Sequence, residues 1–225
     1  MGIVNYSKGL ASFGVPVFGS MGIGNVYMVG QTADTSAYTD FQKRYTKIRH
    51  ADGSMMLHPF IGTGSVAATT NGIQTAADAC VTNRNDYIVV APSDSNYGLD
   101  AVITLSKKAV HLVCPAGIGF GNFPVGNSAR IKQITAANAV IALSNQAIEV
   151  AGFYLKNYTV LSTVTLAAAA HAPNIHSNMF VLVWSGAQAA AIAGTTTGGS
   201  WGSINNNWLI SESGTAQTCA VVIDI

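Results

Sequence analysis

Charge is what this chain has least of. Of 225 residues only 9% are Asp, Glu, Lys or Arg, against roughly a quarter in an ordinary soluble domain. Eleven basic and ten acidic side chains leave a formal net charge of +1, so no overall field draws the protein to nucleic acid or to an anionic membrane. After Lys156 there is no Lys or Arg, and Glu212 and Asp224 are the only acids. A surface so nearly uncharged is poorly suited to a solitary monomer, and packing against identical or different subunits is expected. Cysteine is also scarce. Cys80, Cys114 and Cys219 are odd in number and far apart, which gives neither a disulfide framework nor a zinc spacing and predicts small buried apolar residues.

Other absences narrow the field further. No apolar run reaches the length of a membrane span, because His171, Asn174, His176 and Asn178 interrupt the best candidate. Lys8 is embedded in Gly and Ser with no continuous apolar core after it, so no secretory signal is expected. The Gly-rich Gly117–Asn122 lacks the Lys and Ser or Thr of a phosphate-binding loop, and no dinucleotide pattern occurs. No cofactor is expected.

What the chain does contain is a repeat. Ile148 to Phe153, Ile175 to Phe180 and Ile204 to Leu209 each set an isoleucine five positions before a large apolar residue, at spacings of 27 and 29. Repetition of that size is the mark of a chain winding in rungs, each burying its inward side chains on the one before. The predicted fold class is therefore all-β, a parallel β-helix. A helix is predicted from Asn71 to Val81, with Ile73, Ala76, Ala77, Cys80 and Val81 on one face and Asn71 or Thr70 as its cap. Short strands follow at Asp86–Pro92, Ala101–Leu105 and Ala109–Gly117, and an earlier one is predicted at Asn25–Val29. The helix is placed over the open end of the first rung, which would otherwise face water.

The predicted organisation has three parts: an extended arm over 1–30, a polar linker over 31–69, and the capping helix with the β-helix over 70–225. In the arm, Leu10, Phe13, Val15, Pro16, Val17 and Phe18 have no core of their own and are predicted to dock on a partner. In the linker, Lys43, Arg44 and Lys47, with Arg49, form a cationic cluster in an otherwise neutral chain. It is a solvated face or a contact for an acidic protein surface. Nucleic acid is not expected, because only Tyr45 is interleaved with these cations.

Two resemblances sharpen this reading. The order of helix, Asp86-Tyr-Ile-Val-Val-Ala-Pro92, Leu99–Leu105 and Val110-His-Leu-Val-Cys-Pro-Ala-Gly117 resembles the entry of pectate-lyase-like right-handed β-helix proteins over residues 70–120. Asn5–Gly19, containing Ser12-Phe-Gly-Val-Pro16, resembles the opening of tailed-bacteriophage virion proteins that carry such a stretch ahead of a β-helix. The resemblance implies a virion structural protein, most readily a capsid decoration or cement protein, assembled in the host cytoplasm, with the major capsid protein or another virion protein as partner and a homotrimer as the oligomer. A tail fibre or spike component that binds surface glycan is the alternative, and a polysaccharide lyase-like enzyme is the second.

No catalytic residue is assigned. A lyase or hydrolase on this fold needs carboxylates on neighbouring rungs. From Ala101 onward only Glu149, Glu212 and Asp224 are acidic, and the isoleucine alignment stacks Glu149 on His176 and Asn205. His171 and His176 near Glu149, and His50 and His58 around Asp52, are read as structural histidines, and no metal is assigned. Asn174, Asn178 and Asn205–Asn207 are expected to hydrogen-bond along the stack as a ladder. Trp184, Trp201 and Trp208 are expected to pack in the core or between subunits, or else to stack on sugar rings.

Overall fold

The computed structural model describes residues 11–12, 15–16, 24–33, 48–61, 71–115, 128–133, 138–183, 190–195, 202–212 and 221–224. They are mostly strand, with parallel sheets and a single helix.

The chain passes through three sheets in a fixed order, five times. The first pass is β5 (Asp86–Val90), β6 (Tyr97–Leu99) and β7 (Ile103–Leu105), and the second is β8 (Val110–Val113), β9 (Ala129–Gln133) and β10 (Ile141–Leu143). The third is β11 (Glu149–Ala151), β12 (Phe153–Asn157) and β13 (Val164–Leu166), and the fourth is β14 (Asn174–His176), β15 (Met179–Leu182) and β16 (Ile192–Thr195). The last is β17 (Ser203–Asn205), β18 (Trp208–Ser211) and β19 (Val221–Asp224). The first strand of every pass joins one sheet, the second strand another and the third strand a third, always parallel to the pass before. The first sheet continues beyond β5 with β3 (Val26–Gln31) and β4 (Leu57–Phe60). Leu57–Phe60, within the stretch read as polar linker, is thus a sheet strand. Its Leu57 and Phe60 are buried and its His58 and Pro59 less so, a pattern too short and too broken by proline to stand out in the sequence.

These strands are short because each pass needs only one or two inward aliphatic residues, and period-two alternation puts their neighbours outside. Ile103, Ile141, Val164 and Ile192 stack in register in the third sheet. Ile88, Leu112, Val150, Ile175 and Ile204 do so in the first. All but Ile204 are at most 1% exposed, and each contributes roughly 1.5–3 kcal/mol by burial. One apolar cluster takes residues from all three sheets and from the helix.

That helix, α1 (Gly72–Ala79), begins as expected. Asn71 accepts hydrogen bonds from the Ile73 and Gln74 amides at 3.0 and 3.3 Å, the usual device for satisfying first-turn donors. Ile73, Ala76 and Ala77 are buried, and α1 packs on β3, β4, β5 and β7. It ends earlier than its apolar spacing suggests. Val81 lies past the end and is 47% exposed, because its amide is drawn to Asp86 Oδ2 at 2.7 Å. Among the described residues no helix is long and apolar enough to cross a membrane.

The repeat is real, but its phase differs at one place. Ile175 pairs with Ile204 as aligned, and on its other side it pairs in register with Val150 rather than with Ile148. Phe180 likewise pairs with Leu155 and Leu209. The corner residues set this phase. Gly152, Ser177 and Asn206 occupy equivalent corners between the first and second sheets, and all have positive φ, at 86°, 55° and 51°.

Candidate functional site

The outward face of the first sheet carries the most concentrated chemistry among the described residues. At its entry corner Ala109, Ala147 and Ala172 all adopt positive φ, and the residue two positions after each points outward. Tyr87, His111, Glu149 and Asn174 thereby fall into one register column on β5, β8, β11 and β14. His111 Nδ1 lies 2.6 Å from Glu149 Oε2 and its Nε2 lies 2.6 Å from Asn85 Oδ1. His176, one step further along β14, places Nε2 2.8 Å from Glu149 Oε1. Tyr87 stacks on His111 with ring centroids 4.2 Å apart and planes 10° apart.

Glu149 therefore does not stack on His176 and Asn205 in register. It pairs with His111 on one side and Asn174 on the other, and reaches His176 diagonally. His171, read with His176 as a pair, takes no part, whereas His111 does. The alignment missed His111 because it began at Ile148. The signal was present in the recurrence Ala109-Val-His111, Ala147-Ile-Glu149 and Ala172-Pro-Asn174.

Burial raises the Glu149 carboxyl, but hydrogen bonds from His111 and His176 outweigh it and hold the carboxyl at about 2, below its ordinary 4.5. Burial and the neighbouring Glu149 charge push the Tyr87 phenol up to about 12. Each imidazole is spent on a separate carboxylate oxygen. Among the described residues no three of His, Cys, Asp or Glu are placed to hold a metal ion. The depression beside the column, about 250 Å³, is lined by His111, Ile148, Glu149 and Asn174 with Ala147 and Ala172.

A carboxylate whose folded pKa is depressed stabilises the fold above its unfolded pKa and loses that contribution as pH falls toward the folded one. For Glu149 the window runs from about 4.5 down to about 2. The loss is at most about 3 kcal/mol. Urea midpoints at pH 6 and pH 3 should therefore differ more in the wild type than in Glu149→Gln, and equal pH sensitivity would contradict this account.

A second polar cluster ties the first sheet to the segment before α1. Asp86, fully buried, accepts from the Asn25 amide at 2.8 Å, the Val81 amide at 2.7 Å and Arg84 Nε at 2.7 Å. Arg84 also donates to Asp52 Oδ2 at 2.6 Å and to the Tyr27 hydroxyl at 2.7 Å. Tyr27 donates in turn to the Ala79 carbonyl at 2.8 Å. The bonds from Ser54 and Arg84 hold the Asp52 carboxyl well below the usual range. His50 and His58 meet the Tyr27 ring edge-on, with centroids 5.0 and 5.6 Å away, and burial lowers both imidazoles.

The asparagine ladder forms at one corner. Asn178, fully buried, donates to the Val150 carbonyl at 2.9 Å and to Asn207 Oδ1 at 3.1 Å, and accepts from the Phe153 amide at 3.1 Å. Asn207 donates to the Ile175 carbonyl at 2.8 Å. Asn174 and Asn205 lie on the outward side instead. Cys80 and Cys114 are buried, and burial pushes Cys80 up to about 12.

Of the residues expected to contact a partner, Val15 and Pro16 form β2 (Val15–Pro16), which pairs antiparallel with β1 (Ala11–Ser12) in a sheet separate from the other three. Leu10, Phe13, Val17, Phe18, Lys43, Arg44 and Lys47 lie outside the described residues, as do Trp184, Trp201 and Cys219. Trp208 and Leu209 are 46% and 43% exposed. They border an apolar groove of about 180 Å³ at the last pass, with Phe180, Ile192 and Ile204 in its wall. Comparison of the chain with protein-family models, with curated proteins and with solved structures gives no match.

Proposed function

We propose that the five passes close into a right-handed parallel β-helix capped at its first rung by α1, and that this chain is a structural protein of a phage virion. Its role in this reading is that of a capsid decoration or cement protein without enzymatic activity. Residues 26–30 of the expected arm belong to β3 in the first sheet, so in this reading it is the part of the arm before β3 that lies in a groove on the shell of the major capsid protein or between subunits, and three copies associate laterally.

The observation that supports this best is the fate of the acids. The two carboxylates held by the first sheet are both committed, Asp86 to Arg84 and two backbone amides, Glu149 to two histidines. Neither faces a second carboxylate, as general acid–base cleavage of a polysaccharide would require. What remains for partners is the nearly uncharged surface after Lys156 and a two-stranded ribbon that pairs with no other sheet among the described residues, a unit marginal in water by itself. The exposed Trp208 supports the second reading, a tail fibre or spike component that stacks surface glycan on an aromatic face.

The test is binding to purified heads. The intact chain should decorate them at many copies per particle, and deletion of residues 1–20 should abolish decoration. Full occupancy by the truncated protein would overturn the docking arm, and a few copies confined to the tail would favour the glycan-binding alternative.

A further inference from the structure

Two imidazoles close the entry of the first sheet. Residues 48–56 fold back on themselves: Arg49 and Met55 form an antiparallel bridge, the Gly53 amide donates to the His50 carbonyl at 2.9 Å, and the His50 amide donates to the Ser54 carbonyl at 3.0 Å. The turn lies against β3 and the lead into β5, because the Met28 amide donates to the Met56 carbonyl at 2.7 Å and Asp52 accepts from Arg84. Its ring contact is the fully buried Tyr27, met edge-on by His50 from the turn and by His58 from β4.

Both sites suit a neutral ring. His50 is partly exposed, yet its Nε2 is buried and has no hydrogen-bond partner. A proton there would create a cationic N–H without an acceptor, and a buried donor left unmade is unfavourable even when neutral. His58 places Nε2 3.0 Å from the Met55 carbonyl, so that nitrogen carries the one hydrogen of a neutral imidazole. The charged and titratable groups facing the two rings are Asp52 on the turn, Tyr27 on β3, Arg84 ahead of β5 and Asp86 at its start, besides the rings themselves. Asp52 and Asp86 favour a charged His50, but each already takes a bond from Arg84, whose own charge opposes it. Burial is the largest influence on both imidazoles and lowers both.

We propose that residues 48–56 are an acid-released clasp: protonation of His50 and His58 frees the turn from Tyr27 while the wound strands stay in place. An imidazole held below its ordinary 6.5 stabilises the closed turn fully above that pH and loses the contribution progressively below it. The Glu149 window starts lower, at about 4.5, so the clasp opens first on acidification. Arg84 then keeps Asp86 and gives up Asp52. The device belongs to the turn itself and does not depend on the virion reading.

The experiment is amide hydrogen exchange of the full-length chain at pH 7.5 and pH 5.0, corrected for the intrinsic exchange rate at each pH. Protection of the His50, Gly53 and Met56 amides should fall about tenfold at the lower pH, the change that one unit of depression in one imidazole allows, while 141–143 and 164–166 keep theirs. His50→Phe, which retains an aromatic edge beside Tyr27, should lessen the fall, and His50→Phe with His58→Phe should abolish it. His50→Gln, polar but unable to take the proton, should lessen it likewise, so the comparison survives if phenylalanine does not fit. Unchanged protection of the turn in the wild type would overturn the inference, as would an undiminished fall in the variants. A fall shared equally by 141–143 would overturn it too, because it would report loss of the whole winding and not release of the turn.

Discussion

Asp86→Ala should lower stability by about 3–5 kcal/mol, the range for removing one partner of a buried ion pair. The loss has three sources. Arg84 keeps its charge in a site where its side chain is only 20% exposed, with Asp52, itself 40% exposed, as its remaining carboxylate. The amides of Asn25 and Val81 lose their acceptor, and a buried donor left unmade costs roughly 1–3 kcal/mol. Finally, the carboxylate is the point at which the chain leaving α1, the entry of β3 and the start of β5 converge. Replacing both ionic partners by apolar residues, Arg84→Met with Asp86→Leu, should cost less than the two single losses added, because no stranded charge remains. Urea unfolding of Asp86→Ala, of Arg84→Met, of Asp86→Leu and of the double variant measures this, and a loss below about 1 kcal/mol for Asp86→Ala would mean that water replaces the carboxylate easily.

Gly152→Ala should be nearly as damaging. Gly152 has φ at 86°, where an alanine is strained by roughly 1–2 kcal/mol. Strain is the smaller part, since Ser177 and Asn206 occupy equivalent corners at φ 55° and 51°. The difference is the neighbour. A Cβ at Gly152 would stand 2.2 Å from the Cys114 carbonyl oxygen, which is backbone and held in the second pass, so strands β8 and β11 would have to move apart. A total loss of about 3 kcal/mol follows if that shift costs as much as other local backbone distortions. A denaturation midpoint within about 0.5 kcal/mol of wild type, the scatter of ordinary surface substitutions, would show that the corner relaxes freely.

The local elements were legible residue by residue. Asn71 as a cap, the helical spacing of Ile73, Ala76 and Ala77, and the apolar runs ending at Pro92 and Cys114 all follow from chemistry within a few positions. The phase of the repeat was not. Ile148 and Val150 both face the core with Glu149 outward between them, and Ile148 to Phe153 matches the spacing as well as Val150 to Leu155 does. An alternating pattern cannot distinguish registers two residues apart. The left-handed corner at Gly152, matched to Ser177 and Asn206, decides it.

The polar clusters were less legible still. His111 and Glu149 are 38 residues apart and Glu149 and Asn174 only 25, because the connections between sheets differ in length from pass to pass. By itself the sequence determined a neutral chain of short strands and one helix capped by Asn71, since composition, capping and periodicity are local properties. Only the tertiary structure decided that Glu149 lies between two histidines and Asp86 beneath an arginine. Such meetings depend on how many residues each loop spends before the chain returns to the same sheet, and no nearest-neighbour rule counts those.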